Sequence, residues 1–544
     1  MRRIVRLLFI IMILTVIIPI QAVFAETLEE NVNNLIGVKQ QYNTMLSPVY
    51  LRNNTSEEQV SSQSGELTVT QTDYVLPGRN GLDVELKRIY KSNSSNVYKT
   101  SVKYVNGAWV DYADSGEKST SFIEERYNLG IGMRFSFPTM EVKKNNDETT
   151  FLFLHTQAGD VYRLSPMYIN NVFTYVPENQ TIKDVYIWAN TEFSNGQDNG
   201  ISRYMMSGKD GKKTYFSEDG RILGIVDRYG NTIKFEYATY TYLTKTKILM
   251  TKIIDTVGRV ITIDYKEDPG FMVIGSNNVS YPQDQSYMAS QGPNNTTSGD
   301  LKEKFKVIVT LPDSKKITYD KSAALTDFVT KKVIRTRLQR VYDIDNTVKY
   351  HFWYEQPDLG FTYANGNTYS VFNRYENLIQ IDYFKTNRIK RFTYTTGTRK
   401  YGDTGSMQYR KVFEEKTLSK TGYDNAKPNF LDKYLTQVMD KTTYTYSSEP
   451  DGYGVSGYDE KKEDYLKNTY RYTTMKSSMR DNKVKYTYNG QHELLNVEMT
   501  GNDHKEITTS EYDDYKFPKK TEKLMYNIIN GQVVGEPVKK NREL

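Results

Sequence analysis

Four histidines are the first side chains to consider for chemistry, because imidazole can serve as a general base or a metal ligand near neutral pH. They are His155, His351, His492 and His504. They lie far apart in the sequence, and no two have the short spacing of metal-binding pairs. We therefore expect strand or surface histidines, and the sequence predicts no metal site.

Carboxylates give no better indication of an acid/base pair. Glu124-Glu125 and Asp513-Asp514 are adjacent in sequence, and neighbours in a strand point to opposite faces of the sheet. The run that begins at Asp343 lacks the later glycine and glutamate of a calcium loop, and no serine stands in a nucleophile-elbow sequence. The sequence therefore identifies no catalytic, cofactor-binding or metal-binding residue, and it predicts that the chain is not an enzyme.

Two further groups could suggest a ligand. Arg79 and Arg88 follow a turn-rich stretch, and we expect them to bind turn carbonyls and cap a sheet edge. Gly130-Ile131-Gly132 resembles a phosphate loop superficially. It lacks the Gly-Lys-Ser/Thr that follows in such loops, and a strand-like segment comes next, so nucleotide binding is excluded.

The elements that position these residues are organised around a unit written twice within residues 215–265. The first copy, IVDRYGNTIKFEY, carries Asp227, Gly230 and Tyr237. Each recurs 28 residues later, in IIDTVGRVITIDY, as Asp255, Gly258 and Tyr265. A period of this length indicates a repeat architecture. The aspartates are expected to accept backbone N–H bonds in turns.

Turn and strand patterns of the same kind fill most of the remaining chain. Asp210-Gly211 and Asp219-Gly220 predict hairpins, and Asn346 replaces the turn glycine in a later, degenerate copy. Between turns, residues alternate with the period of two that a half-buried strand requires. The sequence therefore predicts an all-β fold of antiparallel hairpins.

Composition narrows the classes further. The 46 tyrosines suit a pleated surface that is apolar at its base and wet at its tip. Their alternation at residues 443–446 and 486–488 favours cross-strand packing over stacking on carbohydrate or nucleic acid. The net charge is +6 with both signs interspersed, so no nucleic-acid partner is expected. The absence of cysteine excludes disulfides, thiolate metal sites and a lipid-modified N-terminal cysteine.

The first 25 residues have the pattern of a signal peptide. Arg2, Arg3 and Arg6 precede an apolar run over residues 7–20, and Ala25 ends a small-residue cleavage pattern. An uncleaved anchor is the alternative, although the run is short for a membrane span. No second apolar run of spanning length follows. We expect a secreted bacterial protein with no membrane association after cleavage, and attachment to the cell wall is the alternative location.

Four segments follow from these patterns. Residues 1–25 are the signal peptide, and residues 26–64 form a short helical segment and a linker, with residues 52–65 rich in polar residues. Residues 65–200 form an N-terminal β domain. Residues 201–544 form the repeat region, in which residues 281–300 and 453–467 are expected to be loops.

YFSEDGRILGIVDRYGNTIKFEY resembles the tyrosine/aspartate (YD) repeat of the Rhs and wall-associated protein family. SGELTVTQTDYVLPGRNGLDVELKRIYKSNS, residues 64–94, and LGIGMRFSFP, residues 129–138, resemble the N-terminal domain of the same family. The spacing of Asp-Tyr, Leu-Pro-Gly-Arg and Leu-x-Arg-x-Tyr is more specific than any single repeat. The resemblance covers residues 64–265 and weakens towards the C-terminus.

The resemblance implies a spiralling β-sheet shell, here a partial one. In full-length members the shell encloses a C-terminal toxin used in competition between bacteria. We find no DPxG-type motif ending a shell and no toxin domain in this chain. The partner would then be a separately encoded toxin domain or the remaining segment of the shell.

Two other hypotheses remain open. The first is an adhesin that binds a cell-wall glycan, with exposed tyrosines and Trp188 or Trp353 as stacking platforms. The second is a glycan-processing enzyme, which would need a carboxylate pair that only the fold could bring together.

Overall fold

A computed structural model describes residues 57–62, 64–105, 108–111, 122–144, 150–169, 171–177, 185–208, 210–242, 245–267, 305–326, 333–355, 361–364, 367–375, 377–401, 405–423, 434–446, 471–479, 482–489, 493–512, 518–529 and 532–543. The expected signal peptide, helical segment and loops at 281–300 and 453–467 lie outside these residues. Within these described residues the structure is nearly all antiparallel β, with 70% in strands. The all-β prediction is confirmed.

The chain divides into two compact units. The first contains the described residues within 57–481, and the second contains the described residues within 482–544. Among the described residues, no helix has the length and apolar character needed to cross a membrane.

The N-terminal part of the first unit contains six strands. They are β1 (Glu58–Val60), β2 (Leu67–Leu76), β3 (Val84–Lys91), β4 (Asn96–Val105), β5 (Ala108–Asp111) and β6 (Met133–Phe135). Strands β1, β2, β3 and β6 form one four-stranded sheet. Short 3-10 helices cover Arg79–Gly81 and Ser92–Ser94, and the α-helix α1 covers Phe122–Tyr127.

The linker prediction is wrong for residues 58–60, and the argument from a strand does not apply to Glu124-Glu125. Strand β1 lies inside the predicted polar linker, where Glu58 pairs with Val69 of β2. Its polar sequence gives no strand pattern, and pairing with β2 supplies the backbone hydrogen bonds that the segment needs. Glu124-Glu125 lie in α1 and not in a strand.

Strands β2 and β3 show how alternation builds this sheet. Leu82, Val84 and Leu86 are all buried, whereas the intervening Asp83 and Glu85 are half-buried. One face therefore enters the core and the other reaches solvent, as the sequence predicts.

A long antiparallel sheet makes up the rest of the first unit. Its strands and those of a small inserted hairpin are β7 (Thr139–Lys144), β8 (Thr150–His155), β9 (Val161–Ile169), β10 (Val172–Pro177), β11 (Tyr186–Ala189), β12 (Tyr204–Ser207), β13 (Lys213–Phe216), β14 (Ile222–Val226), β15 (Thr232–Tyr242), β16 (Lys245–Ile254), β17 (Val260–Glu267), β18 (Phe305–Thr310), β19 (Lys316–Thr326), β20 (Val333–Tyr342), β21 (Val348–Tyr354), β22 (Phe361–Ala364), β23 (Asn367–Tyr375), β24 (Leu378–Tyr383), β25 (Arg388–Tyr401), β26 (Gly405–Tyr423), β27 (Tyr434–Tyr446) and β28 (Arg471–Ser478).

Each strand of the long sheet pairs with the next along the chain, apart from one insertion. Strands β22 and β23 leave the sheet, and β21 pairs directly with β24. The inserted hairpin pairs instead with β4 and β5, in the order β22-β23-β4-β5. Strands β11 and β12, on either side of residue 200, are neighbours in the long sheet.

The core lies between the small N-terminal sheet and one face of the long sheet. Phe135 of β6 contacts Tyr319 of β19 with ring centroids 5.8 Å apart. Phe137 contacts Phe235 of β15 at 5.1 Å. Edge-to-face aromatic contacts of this kind add about 0.5–1.5 kcal/mol beyond buried area. The small sheet is therefore packed on the long one as part of a single apolar cluster.

The second unit contains five described strands. They are β29 (Lys483–Asn489), β30 (Leu494–Thr500), β31 (His504–Tyr512), β32 (Pro518–Ile529) and β33 (Gln532–Glu543). Each pairs antiparallel with the next. Val484, Tyr486, Tyr488, Val497 and Met499 are buried.

Candidate functional site

The aspartates of the twofold unit hold turns, as predicted. The Asp227 Oδ1 atom accepts hydrogen bonds from the backbone N–H of Tyr229, at 2.8 Å, and of Asn231, at 2.9 Å. Gly230 has φ +84°, a conformation that glycine adopts without steric cost. These carboxylates are used by the backbone, which is a structural role.

The second copy repeats this geometry. The Asp255 Oδ1 atom accepts from the N–H of Val257, at 3.0 Å, and of Arg259, at 2.7 Å. Asp255 also forms an ion pair with the Arg259 side chain. Asn346 takes the glycine position of the later copy with φ +59°, which confirms its role as a turn replacement.

The tyrosines that end these units have hydroxyls that donate hydrogen bonds to the backbone. The Tyr237 hydroxyl donates to the Ile222 carbonyl at 2.7 Å, and the Tyr265 hydroxyl donates to the Met250 carbonyl at 3.0 Å. We call this contact the tyrosine–carbonyl bond. It recurs, from a tyrosine to a carbonyl of the preceding strand of the long sheet or of the second unit, at Tyr354, Tyr394, Tyr446 and Tyr512.

The expectation that tyrosine hydroxyls reach solvent is therefore wrong for Tyr237. Its side chain is buried, and burial raises the pKa of its hydroxyl. A hydroxyl that loses water needs another partner, and the carbonyl supplies it. This partner lies 15 residues away, so period-two alternation alone does not predict it.

The Asp-Tyr and Leu-x-Arg-x-Tyr residues of the N-terminal motif meet in the core. The Asp73 carboxylate of β2 accepts two hydrogen bonds from the Arg88 guanidinium of β3, at 2.5 and 2.9 Å. Both side chains are 1% exposed. Burial acts to lower the pKa of Arg88, but the Asp73 charge outweighs it and the pKa is raised.

Three aromatic rings of the long sheet surround the Arg88 guanidinium. Its Cζ atom lies 5.6 Å from the Tyr319 centroid and 5.4 Å from those of Tyr350 and Phe352. The Tyr319 hydroxyl also donates to Asp73 at 2.9 Å. The expectation that Arg88 caps a sheet edge is therefore wrong, because its partners lie in the core.

Arg79 takes a different position from Arg88. Its side chain is exposed, and its backbone N–H donates to the Thr256 hydroxyl at 2.7 Å. Thr256 stands in the Asp255 turn, so Arg79 connects the N-terminal motif to the twofold unit through its backbone.

The buried polar network extends to the first strand. Gln71 donates to the Tyr383 hydroxyl, at 3.4 Å, and the Tyr383 hydroxyl donates to the Glu58 carboxylate. Glu58 also lies 3.5 Å from Arg388 and 3.9 Å from Lys390. These bonds join β1 and β2 to β24 and β25.

Glu57 and Glu58 are two neighbouring carboxylates that interact electrostatically, as a pair for glycan hydrolysis would. Burial raises the pKa of both groups, and nearby basic side chains oppose it. The Glu58 side chain is 0% exposed, so a polymeric substrate has no access to it. The arrangement supports packing and not hydrolysis.

The fold does not bring the described histidines together. His155 contacts Glu141, with Nε2 and Oε2 3.1 Å apart, and burial lowers the His155 pKa. His351 packs on Trp353 at 4.2 Å, and the ring of His504 bonds to Asp503 at 2.7 Å.

His492 lies outside the described residues, as do Asp513-Asp514. No group of three potential metal ligands occurs within the part of the chain that the structure describes.

Trp353 is not an exposed platform. It is 6% exposed, and its Nε1–H donates to the Asp382 carboxylate at 3.2 Å. The Gln380 amide donates to the same carboxylate at 2.8 Å. Burial raises the Asp382 pKa. The prediction of glycan stacking on Trp353 is therefore wrong, whereas Trp188 of β11 is partly exposed.

The glycine pair at 130–132 has a packing role. Gly130 has φ +107°, and a Cβ there would lie 2.8 Å from the Arg337 Cα. The Ile131 N–H donates to the Thr336 carbonyl at 2.9 Å, and Gly132 has φ +69°. The loop therefore uses its glycines to approach the β20 backbone closely.

No protein-family model matches this chain, and no curated protein matches it in sequence. The resemblance to the YD-repeat family therefore rests on the motifs quoted above. The site must be judged on its own geometry.

The exposed apolar side chains of the first unit include a cluster at one hairpin. Strands β9 and β10 expose Met167, Tyr168, Val172 and Phe173. A contiguous apolar patch on a soluble protein commonly marks an interaction site. This hairpin is therefore a candidate for contact with another molecule.

Proposed function

We propose that this chain is a secreted or cell-surface scaffold of the YD-repeat type that forms a partial shell. Its partner would be a separately encoded toxin domain or the rest of the shell. The observation that carries the proposal is the recurrence of one device, an Asp-held turn combined with a tyrosine–carbonyl bond, in successive hairpins.

The device explains why such repeats can form a scaffold. In the hairpin of β14 and β15, Asp227 fixes the turn and Tyr237 fixes the far end of the strand to Ile222. Each hairpin is thereby held at two points by local bonds. Each further hairpin can then join the sheet through the same backbone pairing and the same local bonds.

The polar core supports the same function. The charged side chains of Asp73 and Arg88 bind each other and neither faces solvent. Their bonds position the N-terminal sheet on the long sheet. A scaffold must keep its sheets in fixed relative positions, and a satisfied network of buried polar groups does this.

Small-angle X-ray scattering on the purified chain tests the scaffold. A compact domain of this length has a radius of gyration of about 24 Å. A curved sheet that encloses solvent has a larger radius and a distance distribution shifted to long vectors. Resistance to limited proteolysis and an all-β circular dichroism spectrum are the controls for folding. A folded chain with a compact radius contradicts the shell.

A second candidate function is adhesion to a cell-wall glycan. The observation that favours it is the exposed aromatic cluster on β9 and β10, where Tyr168 and Phe173 lie 5.4 Å apart. The test is sedimentation of the purified chain with insoluble cell walls. A folded chain that stays in the supernatant contradicts adhesion and leaves the scaffold proposal in place.

A further inference from the structure

The outer part of the β9–β10 hairpin, beyond Arg163 of β9, carries no charge. Residues 164–177, LSPMYINNVFTYVP, contain no Asp, Glu, Lys or Arg, and the nearest charged residues in sequence are Arg163 and Glu178. The chain as a whole is 25% charged. A 14-residue segment without any charged residue therefore departs from the average composition of the chain.

Its tip exposes apolar side chains on both faces of the ribbon. Tyr168 is 74% exposed and Phe173 is 42% exposed, and they are direct cross-strand partners. Met167 and Val172 stand on the other face, at 50% and 54% exposed. The hydrophobic effect disfavours leaving this area in water.

Aromatic contacts fix the geometry of the tip. Tyr168 contacts Phe173 at 5.4 Å, and Phe173 contacts Tyr175 at 5.2 Å. Tyr175 then contacts Tyr204 of β12 at 6.4 Å. The exposed rings are thus the end of an aromatic row that begins on the sheet, so binding to them costs little ordering of side chains.

The chemistry of the tip selects among partners. Residues 164–177 contain no basic side chain, so the tip has no cationic group for an anionic polymer or an anionic lipid surface. Asn171, next to Val172 at the start of β10, is exposed. An amide at the leading point opposes entry into hydrocarbon. Exposed aromatic rings beside amide groups suit the C–H faces and hydroxyls of an uncharged sugar.

We propose that the β9–β10 tip binds an uncharged saccharide, with Tyr168 and Phe173 as the rings on which sugar faces pack. Tyr168 contributes the larger exposed ring, and Asn171 contributes amide hydrogen bonds. This inference rests on the adhesion function, for which it names the site and the ligand class.

The test is co-sedimentation of the purified full chain with insoluble chitin, a polymer of uncharged sugar units. Tyr168→Ala and Phe173→Ala are each expected to raise the apparent Kd roughly tenfold, equivalent to about 1.4 kcal/mol. Tyr168→Phe keeps the ring and should bind within about twofold of the original chain. Tyr229→Ala is the matched control, because Tyr229 is also a turn-proximal tyrosine and is 62% exposed.

Parallel assays with cell walls and with phosphatidylcholine vesicles separate the outcomes. Equal chitin binding by the original chain and both alanine variants overturns the site. If the variants also bind cell walls normally, adhesion stands without this site. A folded chain that pellets with neither chitin nor walls overturns both proposals. A further result is that the original chain binds vesicles but not chitin, and that the alanine variants lose the vesicle binding. That result identifies a lipid partner and overturns the proposal of a saccharide ligand.

Discussion

Asp73 and Arg88 stand on adjacent strands, and the carboxylate of one accepts two hydrogen bonds from the guanidinium of the other in a fully buried site. Two opposite charges in an apolar core stabilise a fold only as a pair, since each alone would lack compensation for lost water. The pair also accepts a bond from Tyr319 of β19. One contact therefore links the N-terminal sheet to the long sheet.

Removal of one partner is expected to be strongly destabilising. Asp73→Ala leaves a buried, uncompensated guanidinium and should lower the free energy of unfolding by about 3–5 kcal/mol. Urea unfolding monitored by circular dichroism measures it. The control is Lys87→Ala, which removes a half-exposed pair with Glu85 and should cost about 1 kcal/mol or less. Equal losses in the two variants would show that burial of the Asp73 pair has no special weight.

A double substitution separates the pair from its surroundings. Asp73→Leu with Arg88→Met removes both charges and keeps apolar volume. We expect its loss of unfolding free energy to be smaller than the sum of the two single losses. Additive losses would mean that each side chain acts through other partners, such as Tyr319.

Tyr237→Phe removes only the hydroxyl of one tyrosine–carbonyl bond. It leaves the Ile222 carbonyl without its donor, so unfolding free energy should fall by about 1–3 kcal/mol. Tyr229→Phe is the control, because the Tyr229 side chain is exposed and its loss should be within about 0.5 kcal/mol. An unchanged unfolding midpoint for Tyr237→Phe would show that the tyrosine–carbonyl bond does not stabilise the hairpin.

Gly220 and Gly230 separate the cost of backbone conformation from that of packing. Both have positive φ, +83° and +84°. A Cβ at Gly220 would lie 2.0 Å from the Met140 carbonyl oxygen, whereas a Cβ at Gly230 meets no atom within 4 Å. Gly230→Ala should cost about 1–2 kcal/mol from backbone strain alone, and Gly220→Ala distinctly more. Thermal unfolding of both variants checks the order, and equal costs would contradict close packing at Gly220.

His155 predicts a pH dependence of stability. Burial lowers its pKa in the folded chain, and the hydrogen bond that the ring donates to the Glu141 carboxylate offsets only part of this. Between the two pKa values, His155 is protonated in the unfolded chain and neutral in the folded chain. Stability should fall as pH drops below about 6.5, by at most about 1.4 kcal/mol per pH unit from this residue.

His155→Gln should flatten the dependence between about pH 6.5 and 5, measured by urea unfolding at several pH values. Burial opposes ionisation of Glu141, but hydrogen bonds from His155 and Lys143 lower its pKa in the folded chain. Protonation of Glu141 therefore reduces stability only near pH 4 and below, outside this range. His504→Gln is the control, since His504 is partly exposed. An unchanged profile for His155→Gln would contradict the assignment.

Much of the local structure could be predicted from the sequence. The turns at Asp227 and Asp255 follow from residue types within five positions of one another, because the carboxylate binds N–H groups of its own turn. The buried alternation of Leu82, Val84 and Leu86 follows from the pleat of a strand. Both depend on neighbours in the chain, so their information is contained in short sequences.

Contacts between distant segments were decided by the tertiary structure alone. Arg88 meets Tyr319, and Trp353 meets Asp382, only after strands far apart in sequence pack together. A residue's type does not reveal whether its partner is solvent or a buried charge. The sequence therefore determined the β-structure and its turns, whereas packing decided which polar residues are buried and that Tyr168 and Phe173 remain exposed. The physical reason is that burial depends on the whole assembly of strands, and turn chemistry depends on a few adjacent residues.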